Sequence, residues 1–331
     1  MLRLPQFEIS QPETIEQALV ALRTPGSRIV AGGTDILPNL KHYLDQPPQL
    51  VHLGRVEQLR QIVIENGVLR IGAGVTLTEV SEHPEIKKHC PSLASAAGVV
   101  ASPLIRNMGT IGGNVNLDTR CRYVNQTAFW RESIGGGCLK SEGNVCHVVP
   151  RGRNCVAAMS SDTAVTLVSL DAEIVQVGPK GQRVLPLIEY YGVDGVQHLK
   201  REEGEITTEL RVPISRSPRR AAYAKWSVRK SIDFPLVSVA LRFDLKEDSV
   251  HALVDTAKVV VGVLNAKPRV VSSLDMVHGK KFSDSSVAQT VSEAVFKQCK
   301  PLENVPYEAA YRRQMLKIHT RRAIENLVRE G

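Results

Sequence analysis

The chain has 331 residues, enough for a large buried core and for two or three domains. Its 43% hydrophobic and 23% charged residues are ordinary globular composition, and no apolar run approaches the roughly 20 residues of a membrane span. The net charge of +8 raises nucleic acid, but aromatics make up only 5% and the main basic concentration (Arg216, Arg219, Arg220, Lys225, Arg229, Lys230) has two aromatic neighbours, Tyr223 and Trp226. That is too few for a stacking platform, which leaves a solvated face or a dock for an acidic partner or anionic cofactor. The N-terminus, MLRLPQFEIS, lacks the apolar core of a secretory signal, so a cytoplasmic location is expected.

In chain order, residues 1–57 alternate helical and extended signals. TIEQALVALR carries Ile15, Ala18, Leu19 and Leu22 at helical spacing, RIVAGG reads as a buried strand entering a glycine turn, and LVHLG as a second, parallel strand. The connection 37–49 between them is helix-like. Residues 58–205 open with two β runs around Asn66-Gly67, a hairpin signal. Helical stretches TLTEVSEHPEIKKH and SLASAAGVVAS follow, then the polar IRNMGTIGGNVNLD. A cysteine-bearing loop at 119–156 precedes a helix at 161–169 and a hairpin around Pro179-Lys180. From 206 the pattern predicts an antiparallel sheet from EITTELRVPI, RAAYAKWSV, DFPLVSVALRFDL and AKVVVGVL, the third of which could also be helical. Two helices close the chain at 331, and the domain break is expected within the polar stretch 198–220.

Three stretches can carry chemistry. AGGTD (31–35) follows a strand, and successive amides in such a turn make an anion-binding nest; a plain β–α turn would use the same glycines. GTIGGN (109–114) is a second glycine turn, and the pair suits a long phosphate-bearing ligand. Neither has the P-loop pattern, and no GxGxxG follows the first strand. Four of the six cysteines stand as Cys121-x16-Cys138-x7-Cys146-x8-Cys155 in a polar loop that offers them no core. In a reducing compartment they read as metal or cluster ligands rather than disulfides. Zinc sites normally use C-x2-4-C knuckles, absent here, so the spacing favours an iron–sulfur cluster; zinc is the other choice, with His147 a candidate ligand or a simple loop histidine. GxSxG, HExxH and deaminase patterns are missing, as suits a chain whose cofactor supplies the chemistry.

With these residues assembled, the chain resembles the FAD-binding medium subunits of the molybdenum hydroxylases. IVAGGTDILPNL, PLIRNMGTIGGNVNLD, SSDTAVTLVSLDA, KWSVRKSIDFPLVSVA and YRRQMLKIHTRRAI stand in that family's order across nearly the whole length. The resemblance implies an α+β, PCMH-type (vanillyl-alcohol-oxidase-like) FAD-binding fold with a C-terminal antiparallel sheet plus helices. It implies three parts: 1–57, 58–205 and 206–331. It further implies that Ile29, Val30, Ala31, Gly32, Gly33, Thr34, Asp35 and Ile36 line the FAD pyrophosphate and ribityl region. Gly109, Thr110, Ile111, Gly112, Gly113 and Asn114 contribute main-chain donors from the second loop. Val100 packs near the flavin, Asp162 accepts from a cofactor hydroxyl or serves as a helix N-cap, and Lys225 lies near the isoalloxazine or is one more solvated base. The insertion RCRYVNQTAFWR…CLKSEGNVCHV is similar to that of the 4-hydroxybenzoyl-CoA reductase branch, which implies a [4Fe-4S] cluster on Cys121, Cys138, Cys146 and Cys155. On that resemblance the chain carries no catalytic residue of its own. It relays electrons from ferredoxin through a small two-[2Fe-2S] subunit to a large molybdenum-cofactor subunit, within a dimer of heterotrimers. The alternatives are an aldehyde or purine dehydrogenase subunit passing electrons outward, or a zinc-stabilised interaction module.

Overall fold

The computed structural model describes residues 2–330 and builds three sheets in succession. The first contains β1 (Glu8–Ser10), α1 (Ile15–Ala21), β2 (Arg28–Val30), α2 (Ile36–Lys41) and β3 (Gln49–His52). Its strands are parallel, in the order β1-β3-β2, as expected for the second and third; β1 was too short to show any periodicity. Thr14 starts α1 by accepting from the Gln17 amide, an ordinary Ser/Thr cap.

The second sheet begins with the hairpin β4 (Ile62–Glu65) and β5 (Val68–Gly72). Asn66 and Gly67 take φ 51° and 75°, the left-handed pair that a two-residue hairpin turn requires. Helices α3 (Leu77–Glu82), α4 (Pro84–His89) and α5 (Pro91–Gly98) follow. Thr76 and Glu79 form a full capping box on α3. Pro84 and Pro91 each open a helix, where a missing amide costs nothing, and so the single stretch expected over 76–89 is two helices. Then come α6 (Pro103–Met108), α7 (Ile111–Val115), α8 (Ala128–Ser133), α9 (Asp162–Ser169), β6 (Glu173–Gly178), β7 (Gly181–Pro186), α10 (Leu187–Tyr190) and β8 (Ile206–Pro213). The strand order is β4-β5-β8-β6-β7. Here the sequence reading needs correcting. EITTELRVPI is not the first strand of the C-terminal sheet: β8 is the central strand of the second one, paired with both β5 and β6.

The third sheet, antiparallel in the order β12-β11-β10-β9, consists of β9 (Arg219–Trp226), β10 (Val237–Leu245), β11 (Val254–Gly262) and β12 (Arg269–Val270). It is followed by α11 (Ser285–Gln298) and α12 (Ala309–Glu330). All nine β10 residues are buried, which explains why its sequence alone did not separate strand from helix. Val237, Val239, Leu241, Phe243 and Leu245 pack with Val287, Val291, Leu316 and Ile324 of the two terminal helices. Ala240 and Val260, from the opposite face, join the core of the second part beside Leu167 and Val168 of α9. Arg312 is wholly buried in α12 and donates to the carbonyls of Leu236, Val263 and Leu302 at 3.1, 2.7 and 2.8 Å. No helix among the described residues is long and apolar enough to cross a membrane.

Candidate functional site

The two glycine loops lie against each other. A Cβ on Gly32 would sit 1.8 Å from the Met108 carbonyl oxygen, so the first loop can pass the second only without a side chain there. Gly33 takes φ +72°, which a β-carbon makes costly. None of the amides from Gly32 to Asp35 donates to an acceptor within the chain, among the described residues. That leaves a run of free donors suited to a pyrophosphate. Ile29 and Val30 are part of β2, and Ile36 begins α2.

The second loop behaves differently from expectation. The Ile111 and Gly112 amides donate to Val75 and Ala73 carbonyls, Gly113 to Thr110 Oγ1 and Asn114 to the Thr110 carbonyl. Gly109 donates to Ile105. These N–H groups close α7 onto its neighbours and are not open to a ligand, which leaves the Thr110 amide and hydroxyl as this loop's free donors. The Asn114 side chain is also engaged: its Oδ1 accepts from Ser161 Oγ at 2.7 Å and Thr163 Oγ1 at 2.6 Å, tying the loop to α9.

Asp162 and Lys225 converge on Tyr223, which the sequence offered only as an aromatic neighbour of the basic cluster, next to the Val99 carbonyl. Tyr223 donates its hydroxyl to Asp162 at 2.5 Å, and Lys225 Nζ lies 3.2 Å from the same carboxylate and 3.0 Å from the Val99 carbonyl. Asp162 is fully buried; burial pushes its carboxyl above the usual range, against the pull of Lys225 and Tyr223. Burial, then the neighbouring Asp162 charge, drives the Tyr223 hydroxyl well above its ordinary value, which makes it a firm donor. The helix cap is Ser161, whose hydroxyl accepts from the Ala164 amide, with Asp162 in the first turn behind it. Lys225 is therefore a half-clamped ion-pair partner rather than a solvated base.

Arg120 connects this region to the cysteine loop. Its guanidinium pairs with Asp35 and lies 4.1 Å from the Phe234 ring centroid. Its backbone exchanges two hydrogen bonds with Ala158, at 2.8 and 2.7 Å, which closes the base of the insertion. Asp35, expected to face the cofactor, thus uses its carboxylate inside the protein.

Cys121, Cys138, Cys146 and Cys155 line one cavity, and no disulfide joins any of them. Cys138 sits at a tight turn in which its amide donates to the Ser141 carbonyl at 2.7 Å; a Cβ on Gly137 would fall 1.9 Å from that oxygen. Backbone N–H groups point at three of the sulfurs: Tyr123 and Val124 at Cys121, Val149 at Cys146, Ala157 at Cys155. Burial pushes the Cys121 thiol up to about 11, and the charges of Cys155 and Cys138 add to it. Burial also raises Cys155, while Lys140 opposes the rise. His147 also lines the cavity, but its ring stacks on Tyr123 at 5.2 Å and Nε2 meets the Gly137 carbonyl at 3.3 Å, the behaviour of a loop histidine. No three His, Cys, Asp or Glu side chains among the described residues are grouped tightly enough to hold a single metal ion. The thiols share a cavity without sharing one ion's shell.

Comparison with known proteins bears on the fold and on FAD. Residues 5–215 match the model for the FAD binding domain in molybdopterin dehydrogenase, and 221–327 that for the CO dehydrogenase flavoprotein C-terminal domain. The FAD-binding subunit of an Escherichia coli aldehyde oxidoreductase is 33% identical over 68% of this chain and 73% of its own length. The carbon monoxide dehydrogenase medium chain of Hydrogenophaga pseudoflava is 26% identical over 97% and 96%. Among solved structures, a Cu,Mo-CO dehydrogenase chain superposes with a TM-score of 0.80 at 22% identity, covering 99% of this chain and 100% of that one. The two glycine loops, Asp162 and the rest of α9 lie within the first matched region, and Tyr223 and Lys225 in the second.

Proposed function

This chain belongs to the family of FAD-binding domains of molybdopterin dehydrogenases, and from that premise we propose that it is the FAD- and [4Fe-4S]-carrying subunit of a cytoplasmic 4-hydroxybenzoyl-CoA reductase. Its working partners in this reading are a large molybdenum-cofactor subunit and a small subunit with two [2Fe-2S] centres, arranged as a dimer of heterotrimers and fed by ferredoxin. Dehydroxylation of the thioester belongs to the molybdenum subunit. The observation that carries the reading is the meeting of four cysteines, three buried and Cys121 half-buried, around one cavity, in a loop that has no other use for them.

The residues present fit both groups. Free amides from Gly32 to Asp35 are the donors for the FAD pyrophosphate, with Thr110 beside them. Lys225 holds a positive charge beside Val99 and Val100, where a flavin that gains negative charge on reduction would be favoured. Asp162 and Tyr223 keep that ammonium in place. For the cluster, four thiolates and the N–H groups aimed at three of them form a donor set that stabilises added negative charge. A zinc staple would need its sulfurs about 3.8 Å apart, from tetrahedral Zn–S bonds of about 2.3 Å. The absence of any single-ion grouping among the described residues speaks against it. When bound, flavin and cluster supply electron exchange that no side chain can. We further read the chain as three parts, the last beginning at β9 rather than at 206, because β8 pairs within the second sheet.

The test is anaerobic purification of the native complex, with iron, acid-labile sulfide and FAD measured for wild type and Cys138→Ser. About four irons per chain that disappear in the variant, with FAD retained, are the expected result. Retention of iron in Cys138→Ser would refute the ligand set. The same complex should reduce 4-hydroxybenzoyl-CoA with reduced ferredoxin; oxidation of aldehydes instead would move the chain to the outward-flowing alternative, an aldehyde oxidoreductase such as the one its Escherichia coli relative is named for.

A further inference from the structure

Away from the loops and the thiols, α4, α5 and the β8–β9 connection enclose a cavity of about 190 Å³. Lys88, His89, Ser92, Ser215, Ser217 and Arg219 contribute its polar wall, and no carboxylate lines it. Ser92 is the second residue of α5, is 3% exposed, and its hydroxyl has no hydrogen-bond partner. A buried hydroxyl without a partner is costly and calls for one. Around it the first turn of α5 offers little competition. Pro91 has no N–H, the Leu93 and Ala94 amides turn back to the Cys90 carbonyl at 2.9 and 3.2 Å, and the Ser92 amide finds no acceptor among the described residues.

The charges on the wall are of one sign. Lys88 makes no ion pair among the described residues, and Arg219 engages Asp244 through Nε at 2.7 Å, which leaves its terminal nitrogens available. His89 faces Glu85 at 3.3 Å on its own helix, outside the lining. Cys90 also lines the space, but burial pushes its thiol up to about 11, so at neutral pH it is a protonated, inert wall. No carboxylate stands by to activate the serines, and no group of metal ligands is present there among the described residues. The cavity is built to bind and not to react.

We propose that this cavity is a binding site for a phosphate group, received by the Ser92 hydroxyl and amide, the Lys88 ammonium and the Arg219 guanidinium. An anion there complements the free donors at the start of α5 and two cations from different parts of the chain. The proposal does not depend on the flavin reading or on the cysteine loop. Its place is suggestive of use: α5 runs from this cavity to Val99, and β9 runs from Arg219 to Lys225, so a ligand would tie together the near ends of the two elements whose far ends hold the Asp162 network.

The experiment is calorimetric titration of the FAD-replete complex with inorganic phosphate and, separately, with glycerol phosphate. Saturable binding at millimolar concentration or tighter is expected, weakened about tenfold in Lys88→Gln and in Ser92→Ala, as for loss of one charge-assisted hydrogen bond. Stronger binding of the ester would identify an esterified metabolite as the ligand, and equal binding free phosphate. Without ligand, Ser92→Ala should melt no lower than wild type, since it removes a hydroxyl that has no partner. Should it melt lower, Lys88→Gln, an exposed position, decides alone. No saturable binding, or binding that both variants leave unchanged, overturns the proposal.

Discussion

Gly32 and Gly33 stand side by side in the first loop, and the backbone needs each for a different reason. At Gly33 the requirement is conformational, φ +72°, and at Gly32 it is contact, with the Met108 carbonyl where a side chain would go. Gly32→Ala should therefore push the two loops apart even though alanine suits the local backbone. We expect FAD per chain to fall severalfold in that variant, read from the visible spectrum after desalting; full occupancy would show that the loops need not touch. Arg312 makes the opposite point, a buried charge whose hydrogen-bond partners are all carbonyls. Burial lowers it to about 10, still cationic at neutral pH. Arg312→Leu should cost about 3 kcal/mol or more in chemical denaturation, because three buried carbonyls lose their donors at about 1–3 kcal/mol each before relaxation. A loss below the measurement error would mean that water replaces the guanidinium. In the sequence this arginine is one of several in YRRQMLKIHTRR, and nothing in helical periodicity separates the buried one from its exposed neighbours. The use of the Asp35 carboxylate was hidden for a related reason: its partner Arg120 lies 85 residues away, and only the folded chain brings the pair together.

Between residue and molecule, the elements differ in how legibly they were written. The Asn66-Gly67 hairpin and the turn at Pro179-Lys180 were open to reading because turn chemistry is local. Helices α6 and α7 were not, since each is a single short turn whose stability comes from contacts: α7 is capped by Thr110 and bonded to Ala73 and Val75. β8 was found as a strand but assigned to the wrong sheet, because alternation says nothing of a strand's partners. The cysteine insertion stood out in the sequence by its four thiols, whereas its anchorage did not. Lys140, 11% exposed at its side chain, reaches Asp118 Oδ1, Thr119 Oγ1 and the Gly195 carbonyl at 2.6, 2.6 and 2.7 Å. That one ammonium fastens the middle of the loop to its root and to the segment that covers Cys155. Lys140→Met should loosen the insertion without unfolding the protein. Limited proteolysis is expected to cut the variant between 121 and 155 several times faster than wild type, with the main thermal transition moved little; equal cleavage rates would assign the anchorage elsewhere.

On the scale of the whole molecule, the two regions matched by separate family models share a core. All eight residues of α9 are buried, because the helix lies between the second sheet and the outer face of β10 and β11. The Asp162 network sits on that seam: its carboxylate comes from α9 and its two donors from β9. Cutting the chain at residue 215, where the first match ends, would remove Ala240 and Val260 from the larger core and expose the α9 surface that they cover. It would also leave Asp162 buried with neither donor, and an uncompensated buried carboxylate costs several kcal/mol. The first 215 residues alone should therefore fail to give a cooperative thermal transition by circular dichroism and should elute as aggregate in size exclusion. A monomeric fragment that melts sharply and still takes up FAD would mean that the flavin half folds by itself. In that case the C-terminal sheet would be a later cover on a finished site, and Lys225 would owe its position to docking between finished parts rather than to a common fold.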